Sequence, residues 1–437
     1  MKWLILPLEQ IAEISGGSTP SRIKSEFWNG DIAWVTPTDL PMLGQGIAEI
    51  NATTDYITEL GLSSCSANLL PVGTVVFSSR ATIGKIGISQ IPLATNQGFT
   101  NFIPKPFIYN RFLAYSLQYY TPEITKLAGS TTFKEVSKSS IKKFKIPFPA
   151  PSEQRRIVEI LDQADALRKM RAEADAKSDR ILPALFIKMF GDPSTNPMGW
   201  NIVSVEKLFS KERSGTKCGP FVSALKKHEY VDNGVPVWGI DNIKPNQFLE
   251  SGSLFITPTK YEELKSYTVE PGDIIISRAG TVGRMCVARP QQSPSIISTN
   301  LIRLTLDKKH ISPEYFTSLL SYFPASVNQL RASGDDGAYS FMNTTILKSL
   351  KIPLPPFELQ NEYTIRMAEI RRLNAKQIES QATLNHLFQS LLYQAFSGQL
   401  TAKWREAHIK ELLAEMEEQA KILNLRDNGD YQQLSML

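Results

Sequence analysis

Cysteine and histidine are scarce in this chain. Its 437 residues include three cysteines and four histidines, and these stand far apart rather than in pairs. Zinc sites and disulfide frameworks need such residues at short, regular spacings. The sequence therefore predicts no resident metal and no disulfide network. Scattered free thiols are typical of a reducing compartment, so we expect the protein to be cytoplasmic.

Long apolar runs are also missing. The short apolar stretch at residues 3–8 is closed by Glu9 and is shorter than the core of a secretory signal. No run approaches the roughly 20 apolar residues that a membrane helix requires. The sequence therefore predicts a chain with no membrane contact.

Motifs for common catalytic chemistry are absent. There is no glycine-rich phosphate loop ending in Gly-Lys-Ser/Thr and no His-Glu-x-x-His zinc motif. A nuclease-like pattern could be drawn from Asp273 and residues 307–309, but Asp273 belongs to a turn that enters a strand. A methyltransferase would need an Asn/Asp-Pro-Pro-aromatic motif, which residues 196–198 do not supply. We therefore expect no catalytic site in this chain.

One long stretch occurs twice. Residues 142–190 and 348–396 align without a gap at a constant offset of 206 positions, and each opens with a lysine-rich segment followed by alternating prolines. The pattern that starts at Trp3 also returns at Trp200. An offset held over so many positions indicates an internal duplication that includes the domains preceding each stretch.

Each copy predicts a strand, a proline-marked junction and a long helix, because proline cannot continue inside a helix. Apolar residues spaced by four and three predict a seam that needs a partner helix. The other copy is the expected partner, in an antiparallel pair; packing of each helix on its own neighbouring domain is the alternative. Copy one is expected to be one helix over 152–190, with the seam Ile160, Ala164, Leu167, Arg171, Ala174, Ser178, Ile181 and Leu185.

The expected fold class is mixed α/β (α+β), with two domains of strands and helices joined by two long antiparallel helices in a pseudo-twofold repeat. The predicted divisions are a first mixed domain at 1–147, a long helix at 148–192, a second mixed domain at 197–353, a second long helix at 354–398 and a helical C-terminal tail at 399–437.

The net charge of +5 permits a polyanionic partner without requiring one. Residues 134–145 hold five lysines and one glutamate among several hydroxyl side chains, a composition suited to phosphate and base contacts. The matching loop of the second domain, 334–343, is not basic, so a solvated surface remains the alternative. The tail from Thr401 has five basic and seven acidic residues, which favours a protein partner.

Several segments together resemble the specificity subunit of Type I restriction–modification systems. They are Ile-Pro-Phe-Pro-Ala-Pro-Ser-Glu-Gln at 146–154 before a long helix, the segments 15–22 and 27–34, and the helix end and tail at 395–405. The resemblance covers essentially the whole chain. One departure is Leu359, where the family usually has glutamate before glutamine.

The resemblance implies a non-catalytic subunit that reads double-stranded DNA at a bipartite, asymmetric site through two target-recognition domains. Its partners would be two modification (methyltransferase) subunits, held by the long helices, and two restriction/translocase subunits. The methyl donor, ATP and Mg would be bound by those partners, so no cofactor is expected in this chain. The alternatives are an enzyme carrying such a module and an orphan helical scaffold that binds proteins without DNA.

Arginine, lysine and asparagine pair well with guanine and adenine edges. The candidate DNA-binding residues are Arg22, Lys24, Arg80, Lys134, Lys138, Lys217, Lys226, Asn242, Arg278 and Tyr339. Residues shared by both domains, taken as Trp34/Trp238, Arg80/Arg278 and Gly84/Gly283, are expected to be scaffold or phosphate contacts. The candidate partner-binding residues are Leu161, Leu185, Met367, Leu391, Trp404, Leu413 and Met416. Leu412 is expected to share the buried face of the tail.

Overall fold

The structure is a computed structural model that describes residues 3–129, 134–244, 246–250, 252, 254–278, 283–323 and 343–423. The chain divides into two compact units. Unit 1 consists of Met1–Glu173 and Glu379–Leu437, and unit 2 consists of Ala174–Ile378. Both units mix helices and strands, and the predicted α+β class is confirmed.

The strands are short. In chain order they are Leu4–Pro7 (β1), Ala12–Gly16 (β2), Trp28–Val35 (β3), Ala48–Ile50 (β4), Asp55–Ile57 (β5), Val75–Ser78 (β6), Ile86–Ser89 (β7), Leu93–Thr95 (β8), Phe99–Pro104 (β9), Lys145–Phe148 (β10), Asn201–Ser204 (β11), Thr216–Cys218 (β12), Val235–Trp238 (β13), Ile243–Lys244 (β14), Gln247–Phe248 (β15), Leu254–Ile256 (β16), Ile274–Ser277 (β17), Met285–Val287 (β18), Ile296–Ile297 (β19), Leu301–Leu304 (β20) and Lys351–Leu354 (β21).

The helices range from single turns to a rod of 40 residues. The α-helices are Leu8–Ile11 (α1), Glu59–Ser63 (α2), Asn110–Lys126 (α3), Lys138–Lys143 (α4), Pro151–Ser178 (α5), Ile181–Phe190 (α6), Pro258–Leu264 (α7), Pro313–Tyr322 (α8), Thr344–Ser349 (α9), Phe357–Phe396 (α10), Ala402–Ala407 (α11) and Ile409–Ile422 (α12). No α-helix in these described ranges is both long and apolar enough to cross a bilayer.

Unit 1 is layered around a sheet with the strand order β2-β9-β6-β7-β4. Its central strand β6 is buried on both faces, as its continuous apolar run predicts. Val75 and Phe77 pack towards α3, whereas Val76 packs with Val35 of a second sheet, β5-β3-β8. Antiparallel pairing of β1 with β10 closes the unit next to the start of α5.

Unit 2 repeats this plan with a sheet ordered β12-β20-β17-β18 and a second sheet ordered β16-β13-β19. Ile274 and Ile276 of the central strand β17 pack towards α8, and Ile275 packs with Trp238. Strand β11 pairs with β21 as β1 pairs with β10. The duplication inferred from the sequence is therefore present in the topology of both units.

A buried glutamine ties each mixed domain to its long helix. In unit 1, Gln154 accepts a hydrogen bond from Tyr109 N (2.9 Å) and donates to the carbonyl oxygens of Phe107 (2.8 Å) and Pro149 (2.9 Å). All three partners are backbone atoms. The side chain therefore joins the loop before α3 to the proline turn before α5.

Unit 2 has the same arrangement at Gln360. This side chain accepts from Ser312 N (2.9 Å) and donates to the carbonyl oxygens of His310 (3.4 Å) and Pro355 (2.8 Å). Gln154 and Gln360 are both fully buried. The two glutamines, 206 positions apart, thus have equivalent backbone partners.

In unit 1 the long helices run antiparallel. Arg168 of α5 donates to the Asn385 side chain of α10 (2.9 Å). Glu153, at the start of α5, accepts from Thr401, which lies beyond the end of α10 (2.6 Å). Increasing residue numbers on α5 therefore meet decreasing numbers on α10.

Unit 2 shows the same direction. Ser178 of α5 donates to the Gln377 side chain of α10 (3.2 Å), and Phe190 of α6 packs on Tyr363 with ring centroids 5.3 Å apart. The predicted antiparallel pairing of helices thus occurs within each unit, and both helices also pack on that unit's own core.

The expectation of a single helix over 152–190 is wrong. Helix α5 ends at Ser178 and α6 begins at Ile181. Pro183 explains the break, because it has no N–H to donate to the carbonyl of Asp179 and its ring crowds that turn. Gln389 occupies the equivalent position in α10, which continues without interruption.

The predicted seam of α5 is one residue out of register in the first part of the helix, whereas Ser178 is buried as predicted. Leu161 and Asp165 are buried, whereas Leu167 is 50% exposed. The buried stripe includes Arg168, which donates to Asp165 (3.2 Å). Charged residues at buried positions weaken the apolar periodicity of a helix. The spacing of apolar residues therefore placed the seam one residue before its actual position.

Candidate nucleic-acid interface

Four loops of unit 1 meet at one edge of its sheets. Ser18 N donates to Thr95 O, Ser79 N to Gly98 O and Val136 N to Ser79 O, each at 2.9 Å. We call the described residues of these loops, 17–25, 79–84, 96–98 and 134–138, the loop surface of unit 1. These backbone bonds position polar and basic side chains from separate parts of the sequence next to one another.

Arg22 is held firmly on this surface. Its guanidinium lies 3.8 Å from the ring centroid of Trp28 and forms an ion pair with Asp55 at 2.7 Å. The Trp28 ring in turn packs edge-on against Trp34. Because the Arg22 side chain is still 56% exposed, it can contact a phosphate or base while it stays oriented. Lys24 lies near the Phe27 ring, 5.0 Å from its centroid.

The other basic candidates of unit 1 share this edge. Arg80 and Glu135 form an exposed pair at 3.7 Å. Lys134 accepts a backbone hydrogen bond from Ala81 (3.0 Å), and Lys138 lies over Gly16, where an added Cβ would be 2.9 Å from its Nζ. The structure therefore gathers all five unit 1 candidates, with Glu135 and Asp55 as partial counter-charges.

Unit 2 has a corresponding edge. Gly219 N donates to Leu301 O (2.8 Å) and Arg278 N donates to Asn300 O (3.0 Å). Lys217 packs on Tyr267, with its Nζ 4.7 Å from the ring centroid, and Lys226 is exposed. Tyr339, the remaining candidate of this domain, lies outside the described residues.

Asn242 does not fit the predicted role of a base reader. It is 2% exposed, its amide oxygen accepts from Gly239 N (2.7 Å) and its amide nitrogen donates to Leu249 O (2.8 Å). The side chain holds the turn between β13 and β14 together. A base contact would have to break this turn, so Asn242 is a structural residue here.

The pairing of Trp34 with Trp238 is wrong by one position. Strand pairing aligns Ile32 with Val235, since they lie opposite Ile57 and Ile256 respectively. Trp34 therefore corresponds to Val237, and the two tryptophans face opposite sides of equivalent strands. A one-residue shift in a strand moves every side chain to the other face, which similarity of residue type could not reveal.

Arg80 and Arg278 are also not equivalent. Ser79 N donates to Gly98 O as Arg278 N donates to Asn300 O, so Arg278 corresponds to Ser79. Gly84 and Gly283 do correspond, since their N–H groups donate to Ser78 O and Ser277 O. Their φ angles of 103° and 81° require a residue without a side chain, which supports the scaffold role predicted for them.

The nuclease-like pattern has a structural explanation. Asp273 is buried and accepts from Thr305 (2.6 Å), Arg213 (3.1 Å) and Glu270 N (2.8 Å), so both its oxygens are occupied. Burial, together with the charge of Arg213, lowers the pKa of Arg303 to about 10. Residues of this interior cluster are committed to each other rather than to a reacting group.

Asp307 is separately engaged at the surface. Its carboxylate accepts from Lys309 N (3.1 Å), which lowers its pKa, and it also contacts the His310 ring at 3.0 Å. Across the described ranges, no group of three or more histidine, cysteine or acidic side chains is arranged to hold a metal ion.

Two of the helix residues predicted to bind partners are buried in their own units. Leu161 is fully buried and Met367 is 1% exposed. Leu185 and Leu391 are partly buried against the unit 2 and unit 1 cores respectively. Periodicity identified apolar positions correctly but could not tell which core would cover them.

The tail prediction also needs correction. Leu412 is fully buried and Met416 packs against the unit 1 core, while Trp404 stacks on His408 with ring centroids 4.4 Å apart. Leu413 is 48% exposed. The buried face of the tail is therefore covered by unit 1 itself, and of these four residues Leu413 is the most exposed.

The long helices expose apolar side chains that were not among the candidates. They include Leu167 and Met170 on α5 and Ile365, Leu373 and Ile378 on α10. Leu167 belongs to the predicted seam, whereas the others fall outside either seam and next to charged neighbours, which could have indicated their exposure.

Comparison with known proteins gives the family. Residues 1–176 and 197–384 each match the family described as the Type I restriction modification DNA specificity domain. These matches cover most of the chain, so the protein belongs to the family of Type I restriction–modification specificity subunits. The resemblance noted from the sequence is confirmed.

Individual relatives agree. The MjaIX specificity subunit of Methanocaldococcus jannaschii is 30% identical over 64% of this chain, and the match spans 66% of that relative, just under two thirds of its length. The EcoBI specificity subunit of Escherichia coli is 23% identical, with 92% of this chain and 87% of that one covered.

Solved structures support the fold. The S subunit of a Type I system from M. genitalium is 17% identical, has a TM-score of 0.52 and covers 91% of this chain and 96% of its own. A chain from a study of complex assembly and conformational transition in a type I R-M system reaches a TM-score of 0.60 at 18% identity, covering 91% and 98%.

Proposed function

We propose that this chain is the non-catalytic DNA-reading subunit of a Type I restriction–modification complex and that it binds a bipartite, asymmetric site. The observation that supports this most directly is the repeated edge: two units with one topology carry loops of different sequence on equivalent supports. Two readers with different loops suit two different half-sites, since base contacts specify sequence while phosphate contacts position the protein.

The long helices hold two modification subunits. The exposed apolar side chains of α5 and α10, such as Met170 and Ile378, supply the contact area, because large exposed apolar residues on a helix favour burial by a partner. The tail does not supply this contact, since its apolar face is covered by unit 1. Two restriction subunits complete the complex.

Catalysis and its cofactors belong to the partners. The methyl donor binds to the modification subunits, and ATP with Mg binds to the restriction subunits. The complex works in the cytoplasm, where it meets the DNA that it methylates or restricts.

Methylation mapping tests the proposal. The chain is co-expressed with its modification subunit in a host without other DNA methylation, and modified adenines or cytosines are mapped genome-wide. We expect one motif of two short specified halves separated by unspecified bases. Co-expression of the modification subunit alone is the control and should give no such motif.

A gel shift on the purified complex separates this function from that of a scaffold. The complex should bind a duplex containing the mapped motif more tightly than one in which both halves are scrambled. Equal binding to the two duplexes, together with stable assembly, would favour an orphan scaffold instead.

A further inference from the structure

Each unit carries a loop that begins at a glycine packed beneath a backbone carbonyl. A Cβ on Gly17 would lie 2.1 Å from the carbonyl oxygen of Asn96, and a Cβ on Gly219 would lie 1.9 Å from that of Ser298. Gly17 directly follows β2 and Gly219 directly follows β12. The two loops are therefore equivalent in the fold although their sequences differ.

Both loops return to the core at a buried apolar side chain and expose apolar side chains in between. Phe27 is 7% exposed and Leu225 is 4% exposed. Ile23 is 95% exposed, Phe221 77% and Val222 70%. Outside the long helices, no other large apolar side chain of the described residues is as exposed as these three. The same unusual feature thus occurs at the same place in both units.

The unit 1 loop is held in position. The indole N–H of Trp28 donates to Ser21 O (3.0 Å) and that of Trp34 donates to Ser18 O (3.1 Å). The Thr58 hydroxyl donates to Glu26 O (2.8 Å). Because these bonds fix the backbone on both sides of Ile23, the side chain cannot turn inward to be buried. A presented, ordered side chain loses little conformational freedom when it binds.

Basic residues lie close to these side chains in the sequence. Ile23 stands between Arg22 and Lys24, and Phe221 and Val222 are followed by Lys226 and Lys227. An exposed apolar side chain flanked by cations suits a polyanion that presents apolar groups between its charged groups. It suits an apolar protein surface less well. In the major groove of DNA the apolar group is the thymine 5-methyl.

We infer that Ile23 in unit 1, and Phe221 with Val222 in unit 2, read thymine methyl groups in the major groove of the two half-sites. This inference rests on the proposed DNA-reading function and adds the chemical group that is read. It assigns base discrimination to apolar side chains, and it leaves to Arg22 and Lys24 the contacts that position the loop on phosphates.

Deoxyuridine substitution tests the inference, because uracil differs from thymine only by the missing methyl. The complex with the modification subunit is titrated with a mapped-site duplex and with two duplexes in which the thymines of one half are replaced by deoxyuridine. The parent should lose about five- to tenfold in affinity on each substituted half, which is the lower part of the range for one lost base contact.

Variants assign each half. Ile23→Ala should bind the thymine and deoxyuridine forms of one half equally, and Phe221→Ala should do so for the other half. Ile23→Val should stay close to the parent. Val72→Ala is the matched control. Val72 is 57% exposed, but it lies before β6, whereas residues 79–84 of the loop surface lie at the other end of that strand. It should leave both discriminations unchanged.

Several outcomes would overturn the inference. The first is a parent complex that binds thymine and deoxyuridine duplexes equally. The second is a variant that still prefers thymine as the parent does, including one whose affinity falls by the same factor on both duplexes. If a variant lost assembly with the modification subunit but kept its DNA affinity, these exposed apolar side chains would instead bind protein. Failure of the proposed function is distinct, since the parent would then not prefer the mapped duplex to a scrambled one.

Discussion

The guanidinium of Arg405 donates to the carboxylate of Glu153 at 2.7 Å, with both side chains almost fully buried. Glu153 also accepts from the Trp3 indole (2.8 Å) and from Thr401 (2.6 Å), so the residue before strand β1, helix α5 and the tail meet at one carboxylate. At the equivalent position of unit 2 the residue is Leu359. Trp200 there donates to Phe190 O instead (2.9 Å).

Removing the Glu153 carboxylate should destabilise unit 1. Glu153→Ala leaves Arg405 and two other donors buried without their acceptor, which costs about 3–5 kcal/mol for a broken buried pair. Urea unfolding followed by tryptophan fluorescence measures the change. Glu362→Gln, which breaks an exposed pair with Arg366, is the control and should cost at most about 0.5 kcal/mol.

The double variant Glu153→Leu with Arg405→Met replaces the buried ion pair by apolar side chains, as at Leu359 of unit 2. It should recover part of the stability lost in Glu153→Ala, because it leaves no buried charge unpaired. If it were less stable than Glu153→Ala, the carboxylate would be acting through something other than its three donors.

Two adjacent leucines test whether the tail stabilises unit 1 by packing on its core. Leu412→Ala should lower the free energy of unfolding by about 2–5 kcal/mol, because it opens a cavity in the unit 1 core. Leu413→Ala removes a side chain that is 48% exposed and should lower it by about 1 kcal/mol or less. A tail that only binds partners would instead make both variants nearly neutral in the free chain.

The two buried glutamines should act independently. Gln154→Ala frees the amide of Tyr109, and Gln360→Ala frees that of Ser312. Hydrogen exchange should become faster at the corresponding loop in each variant, at a cost of about 1–3 kcal/mol for the groups left unsatisfied. Faster exchange in both loops from one substitution would show that the units are coupled.

Arg80 has no equivalent arginine in unit 2, so its expected role rests on its own contacts. It should contribute through charge alone, because its side chain is 46% exposed and its guanidinium lies 3.7 Å from Glu135, a loose pair that does not aim its donors at one base. Arg80→Ala is expected to weaken DNA binding for every sequence and to reduce the slope of log affinity against log salt by about 0.9. Lys134→Ala should relax base preference in one half-site. Arg156→Ala, on α5 and outside the loop surface, is the control. A changed motif with Arg80→Ala would reverse the two assignments.

The sequence predicted the duplication, the mixed class and the helix pair because these depend on signals repeated over many residues. It did not predict register. Trp34 and Trp238 look equivalent as residues, yet they lie on opposite faces of their strands, and only strand pairing distinguishes them. The seam of α5 failed for a related reason, since Asp165 and Arg168 occupy buried positions that periodicity assigns to apolar residues.

The candidate surface was predicted in part. Charge identified Arg22, Arg80 and Lys138, which the fold brings to one edge. Charge could not identify Ile23, because an apolar residue in a loop normally predicts burial. Nor could the residue type of Asn242 reveal that both ends of its amide are used by the backbone.

The backbone partners of Gln154 and Gln360 have a consequence for how such proteins change over time. The hydrogen bonds described for both glutamines all go to backbone atoms, so these bonds make no demand on the side-chain chemistry of the domain. Mutation could change the side chains of the loops, and these hydrogen bonds would still form. New loop sequences can therefore arise without any change at these two attachments.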